Sequence, residues 1–236
     1  MIFPGTPRVR RCLPALLCIC SAVSGSAYAG EPGEFWPEVS AFVTLGPRTR
    51  MYLDAAYARE KESVYASMDM AVYLDISLKP IVKGRQKDDW QRSRYLWARI
   101  GYDHVSKVAD GTEQTGEDRG IVSIYGKVGL PAEIWAEMRL RTDLRWIGGD
   151  FSTRYRAKLE MTREFTMFGR TIVPYINAEW FWDTRHGGLS RLLWQAGPEI
   201  TVNQRFRYEI FLSRQFDYYP NQSSVNAVGF VAKWYF

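Results

Sequence analysis

The amino-acid sequence predicts an all-β protein, an antiparallel transmembrane β-barrel, and three observations carry that expectation. From about Trp36 to Phe236 apolar residues recur at every second position, which is the side-chain alternation of a strand. The alternating segments run about 11–15 residues, longer than the roughly 5–6 of an ordinary strand and enough to cross a bilayer at the usual tilt. Aromatic residues gather near segment ends, as Trp135 and Trp146, Tyr95 and Trp97, Trp180 and Trp182, and Tyr218 and Tyr219 do, where amphipathic rings suit a membrane interface. The composition agrees: 236 residues, 46% hydrophobic and 24% charged, are too apolar for disorder. Past the first thirty residues no apolar run approaches the roughly 18 residues of a membrane-spanning helix.

The first 29 residues have the layout of an export signal. Arg8, Arg10 and Arg11 precede an apolar stretch from Cys12 to Val23, and Ala27-Tyr28-Ala29 is a small-x-small cleavage pattern. Cleavage after Ala29 leaves residues 30–236 as a single barrel domain. It removes three arginines and no acid, so the formal charge falls from +5 to +2 and no nucleic-acid partner is expected. All three cysteines, Cys12, Cys18 and Cys20, leave with it, which excludes disulfides, thiolate metal sites and cysteine nucleophiles from the remainder.

The strands follow in order. Val39 to Leu45 and Met51 to Tyr57 keep one apolar parity across Gly46-Pro47-Arg48-Thr49. Met68, Met70, Val72, Leu74, Ile76 and Leu78 then alternate with Asp69, Ala71, Tyr73, Asp75 and Ser77. From Ile134 to Trp146 the even positions are mostly apolar, and the odd ones after Trp135 are Glu137, Arg139, Arg141, Asp143 and Arg145. Tyr155, Ala157, Leu159 and Met161 alternate with Arg154, Arg156, Lys158 and Glu160, and similar runs occupy 94–105, 119–130, 171–182, 191–203, 205–216 and 224–236. Leu130-Pro131-Ala132-Glu133, Ile147-Gly148-Gly149-Asp150, Phe168-Gly169-Arg170, His186-Gly187-Gly188 and Pro220-Asn221 separate them with turn chemistry. Eleven segments result, whereas single-chain bacterial barrels have even strand numbers. Ten strands are favoured, with the first two segments merged into one bent strand; twelve follow if Gly46-Pro47-Arg48-Thr49 is a turn and one more strand exists. Ten strands place both termini in the periplasm, the connection Ser106 to Asp118 outside the cell and Lys79 to Arg92 on the periplasmic side.

With the apolar face toward lipid, the charged face points inward. After cleavage 20 Arg stand against 8 Lys, and the planar guanidinium fork suits a crowded interior that also holds carboxylates. The expected interior charge network comprises Glu137, Arg139, Arg141, Arg154, Arg156, Glu179, Arg207 and Glu209. It has two readings: a narrow water-filled passage favouring small anionic solutes, or a sealed core bridged by long side chains. The final apolar face, Val228, Phe230, Ala232, Trp234 and Phe236, resembles the C-terminal assembly signal of bacterial outer-membrane proteins, with Phe230, Trp234 and Phe236 as its aromatic members. Taken together, Glu137-x-Arg139-x-Arg141, Arg154-Tyr155-Arg156, Ala178-Glu179-x-Phe181 and Tyr208-Glu209 before a final aromatic strand resemble an uncharacterised family of small outer-membrane β-barrel proteins. That resemblance covers nearly the whole chain after the signal and implies an outer-membrane barrel, without substrate or catalytic residues to carry over. The partners it implies are outer-membrane lipid and the barrel-assembly machinery.

Chemistry is sparse. The only histidines are His104 and His186, which excludes a multi-histidine metal site; no phosphate loop or calcium loop is present and no cofactor is expected. His186 and Ser190 share a predicted outer loop, so an outer-membrane lipid-modifying hydrolase using that pair is an alternative, although Arg185-His186-Gly187-Gly188-Leu189-Ser190 has no recognised lipase pattern. Asp103-His104, at a strand end, reads as a hydrogen-bonding pair. A soluble periplasmic ligand-binding barrel is the remaining alternative, and the expectation is that the protein is not an enzyme.

Overall fold

The computed structural model describes residues 33–59, 65–78, 95–109, 112–219 and 222–236; the predicted export signal and the connection Lys79 to Arg92 lie outside the described residues. Twelve strands follow one another: β1 Gly33–Gly46, β2 Thr49–Arg59, β3 Tyr65–Ser77, β4 Leu96–Ala109, β5 Thr112–Leu130, β6 Ile134–Ile147, β7 Asp150–Arg163, β8 Phe165–Met167, β9 Arg170–Asp183, β10 Gly188–Thr201, β11 Phe206–Asp217 and β12 Ser223–Tyr235. No α-helix occurs among the described residues, and one 3₁₀ turn, Pro131–Glu133, joins β5 to β6. Each long strand pairs antiparallel with the next, β7 passing directly to β9, and β12 returns to pair with β1. The result is a closed ring of eleven strands. The short β8 pairs only with β9, outside that ring.

The ring itself is therefore closed by eleven strands, neither ten nor twelve, and the barrel is mixed rather than wholly antiparallel. Gly46 pairs with Thr49 across Pro47 and Arg48, so the unbroken apolar parity of residues 39–57 conceals a tight hairpin instead of one bent strand. Eleven strands in up-and-down order can close only if the first and last run the same way, and β1 and β12 pair in parallel from Gly33↔Asn226 to Phe42↔Tyr235. The last residue extends this seam: the Phe236 N–H donates to the Phe42 carbonyl at 2.8 Å, and the Thr44 N–H donates to the Phe236 carbonyl at 3.0 Å. Parallel pairing also puts Gly33 and Tyr235 at opposite mouths, so the expectation that both ends share one side does not hold for the ring.

Alternation decides which face each side chain takes. The outward positions are apolar, Met70 and Val122 each 54% exposed, with Val39, Leu53, Ile100, Ile124, Met138, Leu140, Leu159, Ile210, Leu212 and Val228 in equivalent places. Inward positions hold charge: Asp75 and Asp143 are 0% exposed, and Asp103, Glu117, Arg145, Glu179 and Asp183 are buried. This reverses the distribution of a water-soluble barrel. Trp146, Phe151, Trp182 and Trp234 lie outward near the mouths, whereas Trp97 faces inward, stacked on Tyr125 with ring centroids 4.7 Å apart. Trp97 thus belongs to the interior and not to an interfacial girdle, as its odd parity in β4 requires. Eleven strands about 4.8 Å apart and tilted roughly 40° close on a backbone radius of about 11 Å, small enough for long side chains to fill.

Local chemistry fits each bend. Gly148 and Gly149 both have positive φ, 59° and 93°, and form the two-residue β6–β7 hairpin that needs left-handed geometry at both positions. Elsewhere glycine makes room inside. A side chain on Gly229 would start 1.9 Å from Cζ of Phe211, and one on Gly197 would start 2.0 Å from the Ile210 carbonyl oxygen. The Phe211 ring fills the space over Gly229 as Tyr73 does over Gly101.

Two outcomes follow from this geometry. Val39→Cys with Ala232→Cys should form an intramolecular disulfide on oxidation of the processed chain, read as a mobility change on non-reducing gels, whereas Val39→Cys with Val228→Cys should not. Gly197→Ala meets rigid backbone and should lower stability by about 1–3 kcal/mol in denaturant unfolding, while Gly126→Ala, with open space around it, should change it little.

Candidate functional site

The charged interior is built from odd positions of β3, β4, β5, β6 and β9 and even positions of β7. One connected set of ion pairs runs along this wall. Arg119 reaches Glu117 at 2.6 Å, Asp103 at 3.1 Å and Asp69 at 3.4 Å. Arg145 bonds both Glu117 and Asp183, and Arg154 reaches Asp183 at 3.1 Å. Arg141 bonds Asp143 and lies 3.7 Å from Asp103, while Arg156 lies 3.7 Å from Asp143 and 2.7 Å from Glu179. Arg139 completes the set on Glu179 at 2.5 Å. Six arginines meet six carboxylates, so the network is electrically neutral.

Register explains why these contacts are diagonal. Arg141 stands directly beside Arg156, Arg139 beside Lys158, and Arg119 beside Arg145. Like charges in such positions repel, and each guanidinium turns along its strand or past the adjacent strand to a carboxylate, where bidentate geometry is available.

Two smaller clusters lie elsewhere in the interior. At one, Asp75 accepts from Arg50 at 2.7 Å and from Arg99 at 2.6 Å. Both cations lie against rings, Arg50 at 4.5 Å from the Phe42 centroid and Arg99 at 4.4 Å from that of Tyr52. Those rings belong to a ladder across the seam, Tyr235, Phe42, Tyr52 and Tyr73, with successive centroids 4.8, 4.6 and 5.2 Å apart. In the second cluster Lys233 donates to Glu199 at 2.8 Å and to Glu209 at 2.5 Å, Arg207 donates to Glu199 at 3.1 Å, and the Tyr175 hydroxyl donates to Glu209.

Of the residues expected from sequence, Arg139, Arg141, Arg154, Arg156 and Glu179 come together in the large network, and Arg207 and Glu209 sit apart in the cluster around Lys233. Glu137 also faces inward, in register with Glu160, and makes no ion pair among the described residues; Glu160 is held by Lys158 at 2.7 Å. The acids that sequence reasoning missed, Asp69, Asp103, Glu117 and Asp183, have the same inward parity as their neighbours, which is the signal that would have found them. Phe230 and Trp234 lie outward on β12, against Tyr208 and Phe206 at centroid distances of 6.2 and 5.0 Å. Phe236 stays exposed beyond them.

The pair His186 and Ser190 is not assembled. The Ser190 hydroxyl donates to the Phe181 carbonyl at 3.1 Å at a register break in β10, and the His186 ring stacks on Tyr219 with centroids 5.3 Å apart. Among the described residues no group of three or more His, Cys, Asp or Glu side chains is placed to hold a metal ion. No model of a known protein family matches the chain, and no curated protein sequence matches it.

Removing one buried acid leaves the cations it held under-compensated. Asp143→Ala, which leaves Arg141 only the 3.7 Å contact with Asp103 and Arg156 only Glu179, should cost about 3–5 kcal/mol in urea or guanidinium unfolding, more than Glu137→Ala under the same conditions.

Proposed function

We propose that this protein is an integral barrel of the bacterial outer membrane with a closed interior, serving as a structural or interaction element and not as an open pore. The observation that carries this is the reversal of faces, an apolar outer wall around a buried, neutral ion-pair network. Water would leave the apolar wall unsatisfied as a soluble surface, whereas lipid matches it, and a ring without free strand edges is the form in which strands cross hydrocarbon. A soluble ligand-binding barrel needs the opposite arrangement. The export-signal pattern, the motif order resembling small outer-membrane barrels, and the outward Phe230, Trp234 and terminal Phe236 support the same placement, with outer-membrane lipid and the barrel-assembly machinery as partners.

Closure is supported by the burial of the ionic side chains. Arg141, Asp143, Asp103, Arg145 and Glu179 are largely withdrawn from solvent, and the formal charges of the six arginines and six carboxylates of the whole network cancel, so no net positive field favours a passing anion. The protein should fractionate with outer membranes, need detergent for extraction and change gel mobility on heating; recovery in the soluble fraction would overturn the membrane placement. In planar bilayers it should show no steady conductance, and the charge-balanced double variant Arg141→Ala with Asp143→Ala should open one. Steady conductance by the unmodified protein would establish the channel reading instead.

A further inference from the structure

The outer wall carries one polar constellation that the interior does not explain. On β4 the side chains of Tyr102 and His104 point outward, as does Asp118 on β5. The Tyr102 hydroxyl donates to the Asp118 carboxylate, and His104 Nδ1 lies 2.7 Å from Asp118 Oδ1, so a carboxylate that can only accept fixes the Nδ1–H tautomer and leaves Nε2 free. His104 is 48% exposed. Ser106 follows two residues later on the same strand, its hydroxyl donating to the Met68 carbonyl at 3.2 Å. The ladder slips here: Val105 pairs with Glu117 but Lys107 with Gln114, so Ser106 stands opposite a bulge that Thr115 and Gly116 form in β5. Bulges re-aim side chains and release backbone amides. A side chain on Gly116 would begin 3.3 Å from His104 Cε1 and 3.7 Å from Nε2, so glycine keeps that flank of the imidazole open.

The surroundings suit an amphiphile. Asp118 is in register with Trp146, whose ring meets Phe151 at 5.3 Å near one mouth. The next outward row toward the middle of the wall, Tyr102, Gly120 and Leu144, borders a shallow depression of about 570 Å³ that continues over Val122, Ile100 and Val72. The depression is apolar because Val72, Ile100, Val122 and Leu144 line it, and Gly120, without a side chain, leaves it room. A molecule with its alkyl chain in this groove would present its carbonyl at the level of His104 and Ser106.

We propose that His104, Ser106 and Asp118 form an acyl-ester hydrolase site on the outer wall, acting on ester-linked acyl chains of membrane lipids. This rests on the membrane reading above. Ser106 Oγ, released from Met68 by rotation about its side-chain bond, attacks the ester carbonyl carbon while His104 Nε2 takes its proton. The carbonyl C–O bond to the alcohol breaks and His104 returns that proton to the leaving oxygen, giving the deacylated lipid and an acyl-serine. Water then attacks the acyl-serine, His104 accepts the water proton and passes it to Ser106 Oγ, and a fatty acid leaves. Asp118, with Tyr102 behind it, is a positioning residue that holds the imidazole.

The test uses the full processed chain in detergent micelles, with p-nitrophenyl palmitate and p-nitrophenyl acetate as soluble probes. Vesicles of phosphatidylethanolamine, and separately extracted outer-membrane glycolipid, distinguish the lipid source, with fatty-acid release read by mass spectrometry. Ser106→Ala and His104→Ala should each lower the rate at least 100-fold and abolish fluorophosphonate labelling, and His186→Ala should leave both unchanged. Asp118→Asn should lower kcat about tenfold with little change in KM, and Asp118→Glu should restore part of it. Gly120→Phe, whose Cβ would meet Leu144 and Trp146 at an ordinary contact distance of 3.8 Å and whose ring would fill the depression, should raise KM for palmitate and spare acetate. Heat-modifiable mobility is recorded for every sample. A folded, membrane-extracted protein that releases no acyl group from any of these probes, or Ser106→Ala at the unmodified rate, overturns the hydrolase site alone. A soluble protein overturns the membrane reading, and with it the lipid assignment.

Discussion

Arg141 and Arg156 lie side by side on adjacent strands, buried, with Arg139 and Lys158 one row away. Left to themselves these cations would force the wall apart. Asp143 and Glu179 hold them, and through Asp103, Glu117 and Asp183 the same bonding reaches Arg119, Arg145 and Arg154. The rest of the barrel depends on this balance. It lets charged side chains occupy much of the inside of a narrow ring, while most apolar positions face outward. Desolvating so many ions is costly, and the compensation is collective: each carboxylate except Asp69 serves two guanidinium groups, so losing any one of these acids weakens two cations at once.

The wall opposite the network is built differently. Tyr235, Phe42, Tyr52 and Tyr73 stack across the seam, and Arg50 and Arg99 lie on these rings while sharing Asp75. Aromatic faces supply to these two cations what acids supply elsewhere. Where a strand has no inward side chain, at Gly101 and Gly229, a ring from its neighbour closes the space. The two walls are therefore lined by different means, one by ion pairs and the other by stacked rings.

Period-two alternation was legible along nearly the whole chain, and with it the barrel and the assignment of Arg139, Arg141, Arg154, Arg156 and Glu179 to one inner face. Register was not legible. Whether Arg141 meets Asp143 or Glu137 depends on which rows align, and that is decided jointly by eleven strands and not by any one of them. Parity alone also missed the break at Gly46 and Thr49, because a two-residue turn preserves the alternation it interrupts. The assumption of an even strand number then removed a strand that the segments themselves had indicated. Trp97 was misplaced by its nearness to a strand end, although its parity pointed inward. The pairing of His104 with Asp118 was invisible because it joins positions across a bulge, while the histidine that looked nearer a serine, His186, turned to Tyr219.

The parallel seam has a kinetic meaning. Every other pairing in the ring joins strands adjacent in sequence or separated only by the short β8, contacts that can form hairpin by hairpin as a meander grows. Gly33 meets Asn226 only after almost the whole chain has been ordered, so closing the ring is a single non-local event whose entropy loss is collected at one place. Before it, the sheet has two open edges and exposes both; after it, the edges vanish together. Separating β1 from β12 breaks one ladder and leaves every hairpin intact, so the seam, which joins the first strand to the last, is the one pairing in the ring that no loop holds together.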